Sequence, residues 1–317
     1  MSNQILVVVE HLKGNIEDIS FEMLGKGKEI ANNIGGELVA LLLGSGVEGM
    51  AGQLGIADKI IYVDDANLGE YNPEGYCKTV AAVVGDKQPK MVMIGNTSMG
   101  MDIAGGVSVD QNMPFIAYVS GVSADGSTVT SSLYGGKMDV DSSPSADGFI
   151  VSVIAGSFPA DAGRSEGNPA VEKVAAPDLS GLSVQFKQLI EPEGGDVDIT
   201  QQEVLISVGR GIQSDENLPM AEELATKLGG AISCSRPIVD SKWLAKTRQV
   251  GKSGLKVKPK LYLALGISGA PEHIEGMKDA DLIIAVNTDP NAPIFDYAHY
   301  GIVQDLFDFI PALSDKL

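Results

Sequence analysis

Between Ser241 and Pro271 the sequence holds Lys242, Lys246, Arg248, Lys252, Lys256, Lys258 and Lys260 and no acidic residue, although the whole chain has a net charge of −19. Loops in this stretch are rich in glycine: first Gln249-Val250-Gly251-Lys252-Ser253-Gly254, then Gly266-Ile267-Ser268-Gly269 directly after the apolar run Leu261–Leu265. Glycine lets main-chain N–H groups come close to an anion, and the start of a following helix adds partial positive charge. Pro271 suits a first helical turn, which would aim that helix start at the glycine loop. A phosphorylated ligand fits this pattern. So do a solvated basic face and a docking surface for an acidic protein, and charge alone leaves the three open.

Other motifs are weaker. Gly44-Ser45-Gly46-Val47-Glu48-Gly49 is formally a G-x-G-x-x-G run after a strand, with Asp64 about twenty residues further on. Taken at face value it would make the chain an NAD-dependent oxidoreductase. The helix it must open is short and broken by Gly52 and Gly55, and it follows a second strand rather than the first, so a glycine-rich connection is favoured. Gly251-Lys252-Ser253 imitates the end of a phosphate-binding loop, but Lys246 stands where the leading glycine is required. Gly266-Ile267-Ser268-Gly269-Ala270 misses a nucleophile elbow at its last position. His11, His273 and His299 have no metal-ligand spacing, and Cys77 and Cys234 are too few for a disulfide framework or a cysteine zinc site.

The elements that must position these residues read as two α/β domains, each a mainly parallel sheet with flanking helices. A length of 317 residues suits about two domains, and 44% hydrophobic residues suffice for buried cores. In the first half, strands at Ile5–Glu10, Leu38–Leu43, Lys59–Val63 and Met91–Ile94 alternate with helical patterns. Ile116–Ser120, Thr128–Leu133, Phe149–Ile154 and Ser183–Leu189 read as an antiparallel extension of that sheet. Turn chemistry at Glu191–Asp196 marks a linker, so the domains are expected at 1–190 and 201–317 with 191–200 between them. The second pattern restarts with a strand at Val204–Val208. A helix capped by Asn217, with Met220, Leu224 and Leu228 on one face, follows it, and further strands are expected at Ala231–Cys234, Leu261–Leu265 and Leu282–Val286. Asp plus Glu outnumber Lys plus Arg by 42 to 23, which argues against holding nucleic acid by phosphate neutralisation. No apolar run reaches the roughly 18 residues of a membrane span, no leader pattern opens the chain, and the prokaryotic cytoplasm is the expected location.

One family matches the second half in order and spacing. Ser207-Val208-Gly209-Arg210-Gly211-Ile212, Ser235-Arg236-Pro237-Ile238-Val239-Asp240, Arg248–Gly254, Gly266–His273, Ala285–Pro290, Pro293–Phe295 and Tyr300–Phe307 together resemble the FAD-binding domain of electron-transfer flavoprotein α subunits. The resemblance implies a Rossmann-like FAD-binding second domain. It also implies a heterodimer with a β subunit that carries AMP or a second FAD, and electron transfer from flavoprotein dehydrogenases to an acceptor. Such a protein is a redox carrier with no substrate of its own. The second domain would swing on the linker to reach each partner. A flavin-free interaction subunit is the remaining alternative.

By the same resemblance, Arg236 lies against the flavin ring with Ser235 beside it, Ser253 reaches toward N5, and His273 sits at the edge where negative charge collects. Gln249, Val250, Gly251, Lys252 and Gly254 belong to the ring-side loop. Ser268, Gly269, Ala270, Pro271 and Glu272 wrap the ribityl and pyrophosphate region, Asn287, Asp305 and Leu306 meet the adenosine half, and Arg210 is a further FAD contact. Cations and donors there, with Arg236 and His273 as the candidates at the ring, would raise the reduction potential. The sequence departs from the family at Lys252, usually Gln, and at Pro271-Glu272, commonly Ile-Gln.

Overall fold

A computed structural model describes residues 2–134, 137–189 and 197–317. The chain divides into two compact units, Met1–Gln188 and Leu189–Leu317. The expected linker at Glu191–Asp196 lies outside the described residues.

In the first unit, β1 (Gln4–Val8) leads through a small hairpin, β2 (His11–Leu12) and β3 (Asn15–Ile16), into α1 (Asp18–Ile34). Then come β4 (Glu37–Gly44), β5 (Lys59–Asp64), α2 (Pro73–Lys87), β6 (Met91–Gly95) and α3 (Ser98–Gln111). β7 (Phe115–Val122), β8 (Val129–Leu133), β9 (Met138–Ser142), β10 (Phe149–Val153) and β11 (Ala170–Val174) complete it. The sheet order is β11-β5-β4-β1-β6-β10-β7-β8-β9. Helices cover the centre on both faces, so β1, β4, β6 and β10 are nearly continuous apolar runs buried on each side.

The antiparallel extension is smaller than expected. In this sheet, among the described residues, only β8 and β9 pair antiparallel, β8 against β7 and β9 against β8. β10 lies between β6 and β7, parallel to both. Its sequence Phe-Ile-Val-Ser-Val is apolar on both faces, as a central parallel strand must be, whereas β9 alternates aspartate with apolar residues and is largely exposed. Ser183–Leu189 is not a strand. Its amides go elsewhere: Ser183 N–H donates to Glu74 Oε2 at 2.6 Å, and the Val184 carbonyl accepts from Asn72 Nδ2 at 2.6 Å, which pins the segment to the start of α2. The parallel edge strand β11 stands outside the expected set.

The second unit runs β12 (Val204–Val208), α4 (Leu218–Lys227), β13 (Ala231–Cys234), α5 (Arg236–Asp240), β14 (Leu261–Leu265), α6 (Pro271–Ile274), β15 (Ile283–Asn287), β16 (Tyr300–Val303) and α7 (Leu306–Ser314). All five strands are parallel, in the order β13-β12-β14-β15-β16. That is the doubly wound order 2-1-3-4-5, in which the chain reverses direction across the sheet between β12 and β14. α4 buries Leu218, Ala221, Leu224 and Ala225, while Met220 and Leu228 sit at the margin. Asn217 does not cap α4. Its Nδ2 donates to the Ile212 carbonyl at 2.9 Å, and the chain enters the helix through a 3-10 turn started by Ser214.

Candidate functional site

A cleft of about 770 Å³ opens at the carboxyl ends of β12, β13, β14 and β15. Open parallel sheets bind ligands at this place, because successive strand ends diverge where the strand order reverses. Arg210 enters from the turn after β12, Ser235 and Arg236 from the end of β13, Ile267–Ala270 from the end of β14 and Asn287 from β15.

The loop after Arg248 forms one wall and is closed by its own main chain. Val250 N–H donates to the Cys234 carbonyl (2.9 Å), Leu255 N–H to Gln249 (2.7 Å) and Gly254 N–H to Gly251 (2.9 Å). The buried Gln249 side chain donates to Ser253 Oγ at 3.0 Å. Lys252 N–H donates to the Glu272 carbonyl at 2.7 Å, which ties this wall to α6.

The loop after β14 is arranged oppositely. Its carbonyls are consumed inside the protein: Asn287 Nδ2 donates to Ile267 O at 2.9 Å and Ile294 N–H to Ser268 O at 3.0 Å. Among the described residues, the N–H groups of Ser268, Gly269 and Ala270 donate to no acceptor. Gly269 must be glycine. Its φ is +88°, and a Cβ there would stand 2.3 Å from the Ile294 nitrogen. Three successive lining residues with unspent donors make an acceptor-seeking cradle for an anion.

Charge is added at the rim. Arg210, Arg236 and Lys252 line the cleft together with Asp240 and Glu272. Arg236 Nε pairs with Asp240 Oδ2 at 3.3 Å, one helical turn on, with both side chains exposed. Of the basic window, only Lys252 lines the cleft. Arg248 donates to the Ile232 carbonyl (3.1 Å), and Lys256 and Lys260 pair with Asp279 (3.1 Å) and Glu203 (2.7 Å).

His273 corrects an expectation. Its imidazole is buried, with Nε2 at 2.9 Å from the Tyr262 hydroxyl and Nδ1 at 3.2 Å from the Val250 carbonyl. Burial pushes its pKa down to about 4, so at pH 7 it is a neutral ring and not a second cation beside Arg236.

The structure thus gathers all the expected site residues around one cleft except Gly254, Pro271, Asp305 and Leu306. Gly254 shapes the turn behind Gly251, and Pro271 opens α6. Asp305 caps α7 through the Phe307 N–H, and Leu306 is buried against the core. Lining residues that were not among the expected FAD contacts are Pro237, Asp240, Gly266 and Ile267, although Gly266 and Ile267 belong to the glycine loop read from the sequence. Asp240 had a readable signal, since it stands four residues after Arg236 on one helix. The glycine run Gly44–Gly49 is elsewhere. Gly46 N–H donates to Asp64 Oδ1 at 2.9 Å, so the acid that a dinucleotide ribose would need closes a loop instead.

Comparison with known proteins agrees with this geometry. Residues 198–278 match the electron transfer flavoprotein FAD-binding domain, and residues 5–179 the electron transfer flavoprotein domain. The chain belongs to the electron transfer flavoprotein family, as an α subunit. It is 34% identical to the electron transfer flavoprotein subunit alpha of Clostridium acetobutylicum, covering 98% of this chain and 95% of that protein. It is 31% identical to the subunit alpha of Bacillus subtilis, covering 100% and 98%. It is 34% identical to the acryloyl-CoA reductase electron transfer subunit beta of Anaerotignum propionicum, covering 99% and 95%. An electron transfer flavoprotein carries electrons on FAD, so the chain is an electron carrier rather than an oxidoreductase built on Gly44–Gly49.

Proposed function

We propose that the cleft over β12–β15 holds the FAD of this α subunit. The chain would pair with a β subunit and pass electrons between flavoprotein dehydrogenases and an acceptor in the bacterial cytoplasm. The observation that carries this reading is the row of unspent N–H donors at Ser268, Gly269 and Ala270, which lines a cleft that Arg210, Arg236 and Lys252 make cationic. A diphosphate needs that donor set, and the cleft's volume lies within the range of cofactor sites. FAD supplies a ring that accepts and releases electrons. The main chain of Ser268–Ala270 would hold the diphosphate, Arg236 and Ser235 would stand on the ring side of the cleft, and the buried His273 imidazole would line it in its neutral form. A relative named as an electron transfer subunit of acryloyl-CoA reductase supports an acyl-CoA enzyme as one class of partner. Among the described residues no helix is long and apolar enough to cross a membrane.

Ala270→Pro tests the site. Ala270 has φ −57° and ψ 145°, which proline adopts without strain at that residue, so the change replaces one N–H of the cradle by a ring methylene. Loss of a hydrogen bond to a charged acceptor is worth about 1.5–3 kcal/mol, and FAD affinity is expected to fall about 10- to 100-fold with urea stability unchanged. Unaltered affinity, measured by fluorescence titration of the cofactor-stripped heterodimer, would reject the cradle.

A further inference from the structure

Behind the cleft wall lies a chain of buried polar groups that the site itself does not use. Tyr262, on β14, is fully buried, and its hydroxyl stands 2.7 Å from Ser207 Oγ on β12 and 2.9 Å from His273 Nε2. Ser207 pairs in register with Ser233 on β13. The Ser233 hydroxyl is buried and has no hydrogen-bond partner among the described residues. Four polar side chains on neighbouring elements therefore converge inside an apolar core, where polar groups are costly unless they are used.

Donor counting fixes how they are used. The Val250 carbonyl can only accept, so Nδ1 of His273 carries a hydrogen. A neutral ring then has a lone pair on Nε2, and the Tyr262 hydroxyl must donate to it. Because Tyr262 has one proton, Ser207 must donate to Tyr262. If Nε2 gains a proton, the order reverses: Nε2–H donates to Tyr262 and Tyr262 donates to Ser207. Rotation of two hydroxyls serves both states at His273 and Tyr262. In the second state the hydrogen of Ser207 is released toward another acceptor, for which the unpartnered Ser233 hydroxyl on the next strand is the candidate.

We propose that Tyr262 and Ser207 are positioning residues that hold His273 as the neutral Nδ1–H form and let its Nε2 take a proton when negative charge develops in the cleft. The proton comes from solvent and the electron from the partner flavoprotein, so one positive and one negative charge enter together, and no bond other than the new Nε2–H forms in the protein. The titratable and charged groups around His273 agree with such a role. Lys252 belongs to the loop that packs against it, Glu272 and Glu275 flank it on the α6 segment, Arg236 and Asp240 are on α5, and Tyr262 and Cys234 are the groups on the strands. None of these places a carboxylate on Nε2, which leaves the hydroxyl as its partner.

The proposal rests on FAD occupying this cleft, and the test separates the two. Nitrogen-15 NMR of the imidazoles is recorded on the heterodimer, stripped of FAD, loaded, and loaded and reduced. With three histidines in the chain, a His273→Gln sample assigns the signal. If loading with FAD leaves the His273 resonances unmoved, the site assignment fails. At pH 7 the stripped and oxidised proteins are expected to show one protonated and one lone-pair nitrogen, and the reduced protein two protonated nitrogens. In Tyr262→Phe the lone-pair resonance should move downfield and stay unprotonated on reduction, and Ser207→Ala should do the same to a smaller extent. An Nε2–H tautomer in the oxidised wild type overturns the proposal, and so does a wild-type ring that stays neutral on reduction. Equal protonation in the variants would also overturn it. Should Tyr262→Phe fail to fold, the wild-type spectra and Ser207→Ala decide.

Discussion

At the carboxyl end of β1 the first unit carries Glu10, whereas at the carboxyl end of β12 the second carries Gly209 and Arg210. Both places are the crevice where the order of a parallel sheet reverses, between β1 and β6 in one unit and between β12 and β14 in the other. In the first, the buried Glu10 carboxylate accepts from Thr97 Oγ1 at 2.8 Å, and a Cβ on Gly95 would stand 2.5 Å from Glu10 Oε1. The crevice is filled by a side chain, and that side chain is an acid. In the second, small residues leave the strand ends open, the loop amides are unspent and the rim is cationic. Two sheets of one class thus differ in ligand capacity because of a few residues at the strand ends, and the fold by itself decides nothing.

The sharpest way to break this comparison is to put a methyl group on a glycine in each unit. Gly269→Ala adds a left-handed backbone penalty of about 1–2 kcal/mol and a clash of about 1–3 kcal/mol against Ile294. Expected are loss of most bound FAD and a lower urea midpoint for whatever folds. Gly46 also has positive φ (+69°), but its Cβ would meet nothing within 4 Å. Gly46→Ala is expected to lose about 1–2 kcal/mol and to keep one FAD per heterodimer. A folded Gly46→Ala protein without FAD would move the cofactor to the first unit.

How much of this contrast was written plainly in the sequence depends on distance along the chain. The glycine loops around Gly251 and Gly269 and the strand Leu261–Leu265 were legible because each is local, and the family resemblance rests on the same stretches. β10 was misplaced because a short apolar run does not say which neighbours it pairs with. The basic window contains a loop that lines the cleft, but charge contributes less there than its sequence suggests. Lys256, Lys260 and Arg248 are spent on ion pairs or a carbonyl away from the cleft, and Lys252 is the window's one cation that lines it. Tyr262 passed as one more apolar strand residue. Its partner Ser207 lies on another strand 55 residues away, and only the sheet register brings the two hydroxyls together. Glu10 likewise looked like the polar end of a strand, and its burial depends on Thr97 at the far side of two helices.

Glu10 offers the next test of the contrast, through pH. Burial raises its pKa from 4.5 to about 7, while the Thr97 hydrogen bond opposes the rise. A raised carboxyl pKa means that the folded state binds more protons than the unfolded state between about pH 4.5 and 7. Stability contributed by the first unit should therefore fall as pH rises through that window, by on the order of 3 kcal/mol. Glu10→Gln should flatten the profile. Hydrogen exchange of β1 and β6 amides at pH 5.5 and 8 measures it, and equal protection at both values in the wild type would mean that the carboxylate is comfortably ionised.

The smallest expected effect lies at the other acid in the comparison, Asp240. Glu10 closes its crevice, but Asp240 stands at the edge of an open one and clasps Arg236 at 3.3 Å. Arg236 is the cation that the family resemblance places against the flavin ring, so its partner decides how much positive charge the ring feels. While the pair is intact, the field of the guanidinium is partly cancelled, and its plane is held along α5. Asp240→Asn leaves the size of the side chain unchanged and removes the cancelling charge. The flavin potential should rise, because a negative ring is then better compensated. Arg236→Ala should lower it. Exposed pairs of this kind are worth about 0.2–1 kcal/mol, and at about 2.3 kcal/mol per 100 mV the shifts should be roughly 10–40 mV. They should shrink as salt is raised, since both side chains face solvent. Spectroelectrochemical titration at two ionic strengths checks the sign and the screening together. Shifts of the same sign in both variants would show that the substitutions act through the shape of α5 and not through charge.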